Sequence, residues 1–216
     1  MPTRLLPALA LLSSLLLAGC FPEATNPLST PSTSTVDARL EGVYVTRREK
    51  PDDPLSVWHL HYRAEKGTSG GPPITTPWLE ILNIEHPRDK ALVGTAYRVL
   101  TTRLGSHDYM SILELGNVAS PENGLIKPAA GESAKLYWIA RYEIEGTGVL
   151  RVWMMNTKAL EEAMKAGKIR GQVKPHKEGD DVLLTESTEA LSKFVTKSDP
   201  ATLFGGKPIV LYRLSR

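Results

Sequence analysis

Two histidines on one predicted strand are the first side chains whose spacing could support chemistry. Residues 56–63 alternate in polarity, so His59 and His61 project from the same face. Imidazoles placed this way can bind zinc when a third ligand reaches them, for example His86, His107 or a carboxylate. Strand alternation alone produces the same spacing, and we favour an exposed polar face. His59 and His61 remain the candidate metal ligands, and the sequence predicts no cofactor.

Residues that could act as a catalytic nucleophile have little support. Residues 67–71 (GTSGG) place a serine among glycines, but they do not form the G-x-S-x-G elbow, and no strand–turn–helix pattern surrounds them. No histidine or acid can be assigned to that serine. We interpret the segment as a loop, assign no catalytic residue, and retain a hydrolase only as an alternative.

Aromatic residues offer a possible site for an apolar ligand. Trp58 shares its strand face with two further apolar side chains, and Trp138 and Tyr142 share the apolar face of a strand at 135–145. Such faces usually form a hydrophobic core, but they can also line a cavity. Trp58, Trp138 and Tyr142 are therefore the candidate ligand-binding residues.

A run of basic residues follows the first predicted helix. Its members are Lys165, Lys168, Arg170, Lys174, His176 and Lys177. These side chains could contact the phosphate groups of an anionic envelope glycolipid. Because Glu178, Asp180 and Asp181 follow at once and weaken the field, we favour a solvated loop.

The charge balance excludes nucleic acid as a partner. The chain has 26 Lys and Arg against 24 Asp and Glu, a net charge of +2. Nucleic-acid binding would require a clear basic excess.

The elements that must position these residues are mainly strands. The pattern predicts strands at 40–47, 56–63, 78–85, 91–100, 109–116, 135–145, 149–155, 182–185 and 208–214. It also predicts a helix over 157–166, a second helix capped by Ser187 or Thr188, and one more turn after Asp199-Pro200. So many strands avoid open edges by closing or stacking. We expect a mainly β fold: an antiparallel barrel or sandwich of about eight or nine strands with two short late helices.

The start of the first strand carries a resemblance. Gly42-Val43-Tyr44 resembles the Gly-x-Trp start of lipocalin-like (calycin) barrels, with Tyr in place of Trp. A late helix before the final strand is similar too, whereas the helix at 157–166 departs from that pattern. The resemblance implies a carrier of a lipid or small hydrophobic ligand.

The first twenty residues have the pattern of an export signal. Arg4 provides a positive start, and 5–17 is an apolar run that reaches only about 20 Å as a helix, too short for a bilayer core of about 30 Å. The run ends in Leu17-Ala18-Gly19-Cys20, which resembles the lipobox of bacterial lipoproteins. That resemblance implies cleavage before Cys20 and lipid attachment to its thiol. Phe21, in place of Asp, implies an outer-membrane address.

The mature chain then divides into a spacer and one domain. Residues 20–38 are rich in Ser, Thr and Pro and are expected to form a disordered tether behind the signal peptide at 1–19. Residues 39–216 are long enough for one β-rich globular domain. Cys20 is the single cysteine, so no intrachain disulfide can form.

Together these patterns predict a lipid-anchored protein facing the periplasm, with a non-enzymatic domain that binds an envelope protein or a small ligand. A lipocalin-like carrier and an envelope hydrolase are the alternatives. We expect the long loops at 64–77 and 117–132 to carry function, because loops on rigid β scaffolds often do.

Overall fold

The fold is described from a computed structural model, which covers residues 21–48, 53, 55–65, 74–86, 92–118, 135–146, 148–175 and 180–215. Within these residues lie eleven strands, three α-helices and a 3₁₀ turn at Ala38–Leu40. The strands are β1 (Glu23–Ala24), β2 (Gly42–Thr46), β3 (Leu55–Glu65), β4 (Ile74–His86), β5 (Val93–Leu104), β6 (His107–Val118), β7 (Tyr137–Glu145), β8 (Val149–Met154), β9 (Gly171–Lys174), β10 (Asp181–Leu184) and β11 (Ile209–Ser215), and the helices are α1 (Thr157–Lys165), α2 (Thr188–Lys197) and α3 (Pro200–Leu203).

Eight of the strands close into an antiparallel barrel. They pair in the order β2-β3-β4-β5-β6-β7-β8-β11, and β11 pairs with β2 to complete the circle. Closure removes the open edges that a flat sheet of this length would expose. The prediction of a mainly β barrel with short late helices is confirmed, and the sandwich alternative is wrong.

Strand β7 also carries a small extension of the sheet. Its first residues pair with β1 on the edge that β8 does not reach: Glu23 lies opposite Trp138, and Ala24 opposite Tyr137. Strand β1 then pairs in parallel with β10, which pairs with β9. The sequence analysis missed β1 and β9, because both are short and neither has a long alternating pattern.

The predicted helices are confirmed with their caps. The side chain of Asn156 accepts a hydrogen bond from the Ala159 N–H at the start of α1, and Ser187 does the same for Ala190 in α2. Asp199 caps α3, whose first residue is Pro200. The predicted loop at 101–108 is instead a tight hairpin, in which only Gly105 and Ser106 join β5 to β6.

Two hydrophobic cores share the wall of the barrel. The barrel interior contains Leu40, Tyr44, Leu60, Tyr62, Leu79, Ile81, Val99, Met110, Ala140, Tyr142, Leu150, Val152 and Leu211. Outside the barrel, the helices and β10 pack on the outer face of β7 through a second cluster that includes Tyr137, Ile139, Leu160, Val182, Leu191 and Phe204. The first half of β7 is therefore buried on both faces, with Tyr137 and Ile139 toward the helices and Ala140 and Tyr142 toward the barrel interior.

Residues 21–41, here called the strap, correct the prediction of a disordered tether. Part of the strap is a strand, Glu23–Ala24, held between β7 and β10. Ala24 and Leu28 are almost fully buried, at 1% and 3% exposure. Residues of the strap that precede residue 39 therefore pack on the β-rich domain.

The reason for this error lies in individual pairings that composition does not show. The N–H of Leu28 donates to the hydroxyl of Ser111 at 2.9 Å, and Ser29 and Thr102 hydrogen-bond through their hydroxyls. The N–H of Thr35 donates to the carbonyl oxygen of Thr101 at 2.9 Å. Polar residues of the strap are thus satisfied by polar residues on the barrel, so a segment with few apolar side chains can still be ordered.

The last residues of the strap fill one opening of the barrel, which is here called the closed end. Leu40 on the 3₁₀ turn is fully buried in the barrel core. The hydroxyl of Tyr44 donates to the carbonyl oxygen of Leu40 at 3.0 Å, and the guanidinium of Arg213 lies 5.0 Å from the Tyr44 ring centroid. Gly42 has φ +148°, which side-chain-bearing residues rarely adopt, so the entry into β2 requires glycine.

Asp37 is the centre of the polar contacts at the closed end. Its carboxylate accepts hydrogen bonds from the Arg39 guanidinium at 2.6 and 2.8 Å and from the Tyr142 hydroxyl at 2.8 Å. Its N–H donates to the Tyr62 hydroxyl at 2.8 Å. Arg39 also reaches Asp108 at 3.0 Å. At the closed end, the strap is therefore held by three strands of the barrel, β3, β6 and β7.

Candidate ligand site at the mouth end of the barrel

The end of the barrel opposite the 3₁₀ turn, here called the mouth end, contains a layer of aromatic rings. Trp58 on β3 stacks on Tyr97 of β5, with centroids 6.3 Å apart and planes 15° apart. Tyr97 lies 6.1 Å from Trp138 of β7, and Phe21 of the strap meets Trp138 edge-on at 6.1 Å. Trp58, Tyr97 and Trp138 are partly exposed, unlike the fully buried residues deeper in the barrel.

One polar group in this layer has no partner among the described residues. The indole nitrogen of Trp58 is buried and makes no hydrogen bond within the described part of the chain. A buried donor without an acceptor costs about 1–3 kcal/mol. A side chain that covers this nitrogen would have to move before a carbonyl, ester or hydroxyl oxygen of a ligand could accept the bond, while the ring faces would contact the apolar part of the ligand.

Glu23 adds a perturbed carboxyl to the mouth end. It lies opposite Trp138 and receives a hydrogen bond from that side chain. Burial raises the pKa of Glu23 above its ordinary value, and the nearby charges of Asp181 and Glu114 raise it further, while the bond from Trp138 opposes them. No nucleophile has been placed beside it, so no reaction is assigned to Glu23.

A short polar chain lies beyond Trp58, toward the rim. The Ser56 hydroxyl donates to the side-chain oxygen of Asn83 at 2.7 Å, and the Asn83 amide donates to Glu85 at 3.3 Å. Ser56 and Asn83 are both buried and lie on the inward faces of β3 and β4. The mouth end therefore combines aromatic faces with oriented polar groups, as ligand sites commonly do.

The structure brings together only part of the predicted ligand set. Trp58 and Trp138 share the aromatic layer through Tyr97. Tyr142 does not join them, because it lies at the closed end with its hydroxyl on Asp37 and only 2% of its surface exposed. Burial raises its pKa well above the ordinary value, and the neighbouring carboxylate adds to the effect.

Sequence reasoning missed Tyr97, Phe21 and Glu23 as members of the site. Tyr97 lies on a predicted strand. Once a barrel is assumed, the alternation of side chains along that strand directs Tyr97 toward the interior and could have identified it as a member of the site. Phe21 and Glu23 fall in the segment that was expected to be disordered, so no local pattern could have placed them.

The two histidines lie on the outer surface of the barrel. The rings of His59 and His61 are 5.4 Å apart, and the nearest acid to His61 is Glu80 at 3.7 Å. Glu80 also faces Arg63 at 3.7 Å and Arg98 at 3.5 Å. In the described part of the chain, no group of three or more His, Cys, Asp or Glu side chains is placed to hold a metal.

The predicted basic run is divided among different partners. Lys165 faces Glu161 at 3.8 Å, and Arg170 makes two bonds of 2.9 Å to Glu186. Lys168 lies instead at the edge of an open groove of about 880 Å³ between the three helices. The floor of this groove includes Ala159, Ala163, Ala190 and Phe194, and Lys193 and Lys197 also line it. His176 and Lys177 lie outside the described residues.

Several other predictions also fall outside the described residues. These are the lipobox with Cys20, the serine-containing loop at 67–71 and most of the loop at 117–132. The segment predicted as a loop at 64–77 is shorter than expected, since β3 continues to Glu65 and β4 begins at Ile74.

Comparisons with protein-family models, curated proteins and solved structures find no match for this chain. In the described part of the chain, no helix has the length and apolar character needed to cross a membrane.

Proposed function

We propose that this protein is a non-enzymatic binding protein of the bacterial cell envelope. A lipid on Cys20 would anchor it to the outer membrane at its periplasmic face, and the mouth end of the barrel would take a small apolar ligand. The observation that carries the ligand proposal is the aromatic layer with the unpartnered indole N–H of Trp58. The lipobox pattern at 17–20 supports the anchor.

The packing below the aromatic layer limits how deep the ligand can enter. Side chains of the lower interior, such as Leu60, Leu79 and Leu150, are at most 2% exposed. A cavity beside them that could hold a water molecule would have left their side chains partly exposed. The ligand would therefore occupy a shallow cup, and a lipocalin-like carrier with a deep cavity is the less favoured form of this function.

Fluorescent-probe binding tests the ligand site. The dye prodan is apolar and carries a ketone oxygen that can accept a hydrogen bond, and its emission changes in apolar surroundings. We expect saturable binding that weakens several-fold in Trp58→Phe. Phenylalanine keeps an apolar ring but lacks the indole N–H, and the loss of that hydrogen bond should cost about 1 kcal/mol of binding free energy.

The matched control for this test is Trp153→Phe. Trp153 packs against the outer cluster, with Arg141 4.3 Å from its ring centroid, so the substitution should leave probe binding unchanged. Equal probe binding by the two variants would show that Trp58 is not part of the binding site. No saturable binding by the natural chain would reject an apolar ligand at the mouth.

The groove between the helices supports a second candidate, contact with an anionic envelope glycolipid. Three lysines and two carboxylates, Glu162 and Asp199, line the groove with its apolar floor, and the excess of lysines suits a phosphate group joined to an acyl chain. Lys193→Glu should weaken salt-sensitive binding to vesicles that contain phosphatidylglycerol. Lys158→Glu is the control, because Lys158 is exposed on α1 but does not line the groove. Equal effects of the two substitutions would exclude the groove as the binding surface.

A further inference from the structure

The contacts of Phe21, Glu23 and Ala24 decide which end of the barrel a lipid anchor would lie beside. Phe21 contacts Trp138, and Glu23 and Ala24 are paired with β7 and β10. These contacts leave no free spacer in the chain from Phe21 onward. One peptide bond joins Phe21 to Cys20. A lipid on Cys20 would therefore leave the protein at the mouth end.

The rim of the mouth end carries three exposed apolar residues, here called the rim patch: Ile84 on the outer face of the wall, Val93 on its inner face, and Leu92 just before β5. These side chains are 37%, 44% and 44% exposed. Ile84 pairs with Gly94, the residue after Val93, so all three lie where β4 ends and β5 begins. Val93 is four residues from Tyr97 along β5, about 13 Å toward the rim. The rim patch thus borders the same opening as the aromatic layer.

The closed end has a different character. Arg39 and Arg103 are each more than half exposed there and form ion pairs with Asp108. Two exposed apolar residues, Val36 and Leu214, also lie at this end. Pressing the charged groups against hydrocarbon would remove their hydration, which a few apolar contacts would not offset. The closed end therefore suits water, and the mouth end suits an apolar surface.

We propose that the mouth end of the barrel rests on the phospholipid surface, with the rim patch inserted at the boundary between headgroups and acyl chains. This inference rests on the lipid anchor proposed above. It makes the bilayer both the partner of the rim patch and the source of the ligand. An apolar molecule would then pass between the membrane and the aromatic layer without crossing bulk water.

Spin-label accessibility in vesicles tests this orientation. The full chain is processed in cells, purified in detergent and reconstituted into vesicles of phosphatidylethanolamine and phosphatidylglycerol. Leu92→Cys places a nitroxide on the rim patch, and Ser106→Cys places one on the exposed β5–β6 turn at the closed end. Because Cys20 is the single natural cysteine and would be blocked by lipid, each label reports one position.

The nitroxide collides with oxygen, which concentrates in hydrocarbon, and with a nickel chelate, which stays in water. We expect the ratio of the oxygen collision rate to the chelate collision rate to be several-fold higher at position 92 than at position 106. Equal, water-like ratios on a chain whose mass shows the lipid would overturn this inference and leave the anchor intact. A higher ratio at position 106 would reverse the orientation. A chain without lipid on Cys20 would overturn the proposed anchor and this inference with it.

Discussion

Replacing Asp37 with asparagine should release the strap from the closed end. The carboxylate is 11% exposed and accepts bonds from Arg39 and from the buried hydroxyl of Tyr142. Asparagine keeps the shape, but Arg39 donates to both carboxylate oxygens, so the amide nitrogen opposes an Arg39 donor in either orientation. Hydrogen bonds to a charged group contribute about 1.5–3 kcal/mol each, and a buried hydroxyl without a partner costs about 1–3 kcal/mol.

The expected loss is smaller than the sum of these contributions. Arg39 is 52% exposed, so water replaces part of what it loses. We therefore expect the free energy of unfolding to fall by about 2–3 kcal/mol, which lowers Tm by roughly 5–10 °C in a chain of this size. Urea unfolding of residues 21–216 at about pH 7 measures this loss. Glu145→Gln is the control, since the exposed Arg151–Glu145 pair should contribute less than about 1 kcal/mol.

The same substitution predicts a pH dependence with a definite sign. Burial raises the pKa of Asp37, but the hydrogen bonds from Arg39 and Tyr142 outweigh burial and hold the pKa below its ordinary value. A lowered pKa stabilises the fold above the unfolded value of about 4, and this contribution is lost as pH falls through the folded value. The difference between Asp37→Asn and the natural chain should therefore shrink in acid. A cost that matches Glu145→Gln, or that does not change with pH, would refute this reasoning.

Two further substitutions test the strap and the mouth end. Leu28→Ala should cost about 2–4 kcal/mol, because Leu28 is 3% exposed in the outer cluster, and the strap should become sensitive to protease; a cost below 1 kcal/mol would mean that the strap does not pack there in solution. Glu23→Gln should stabilise the folded chain at neutral pH. Because the pKa of Glu23 is raised by folding, its ionised carboxylate destabilises the fold once the pH exceeds the folded pKa, and glutamine carries no such charge. The gain should vanish near pH 4, and the same gain at both pH values would contradict the raised pKa.

The long elements could be predicted because their patterns repeat. The alternation of 56–63 placed Leu60 and Tyr62 inside the barrel and His59 and His61 outside, as the structure shows. Cap residues such as Ser187 and Asp199 located helix starts, because they satisfy backbone donors in a local and recognisable way. These features depend on near neighbours in the chain.

The strap and the site could not be predicted because they depend on distant contacts. Leu28 is ordered by Ser111 and by the outer cluster, which are far from it in sequence. Tyr142 shares its strand face with Trp138, yet the length of β7 carries it to the other end of the barrel. The alternation in the sequence shows on which side of the strand a residue lies. Its position along the barrel axis depends on how the neighbouring strands are staggered.

Native mass spectrometry of the full chain, purified gently from cell envelopes in detergent, tests the central proposal most directly. The proposal predicts a chain of residues 20–216 that carries lipid on Cys20, together with a small ligand that dissociates on mild activation. A chain that retains residues 1–19 or has a free Cys20 thiol would contradict the anchor. A lipidated chain that never carries a further mass, and binds no apolar probe, would contradict the ligand site.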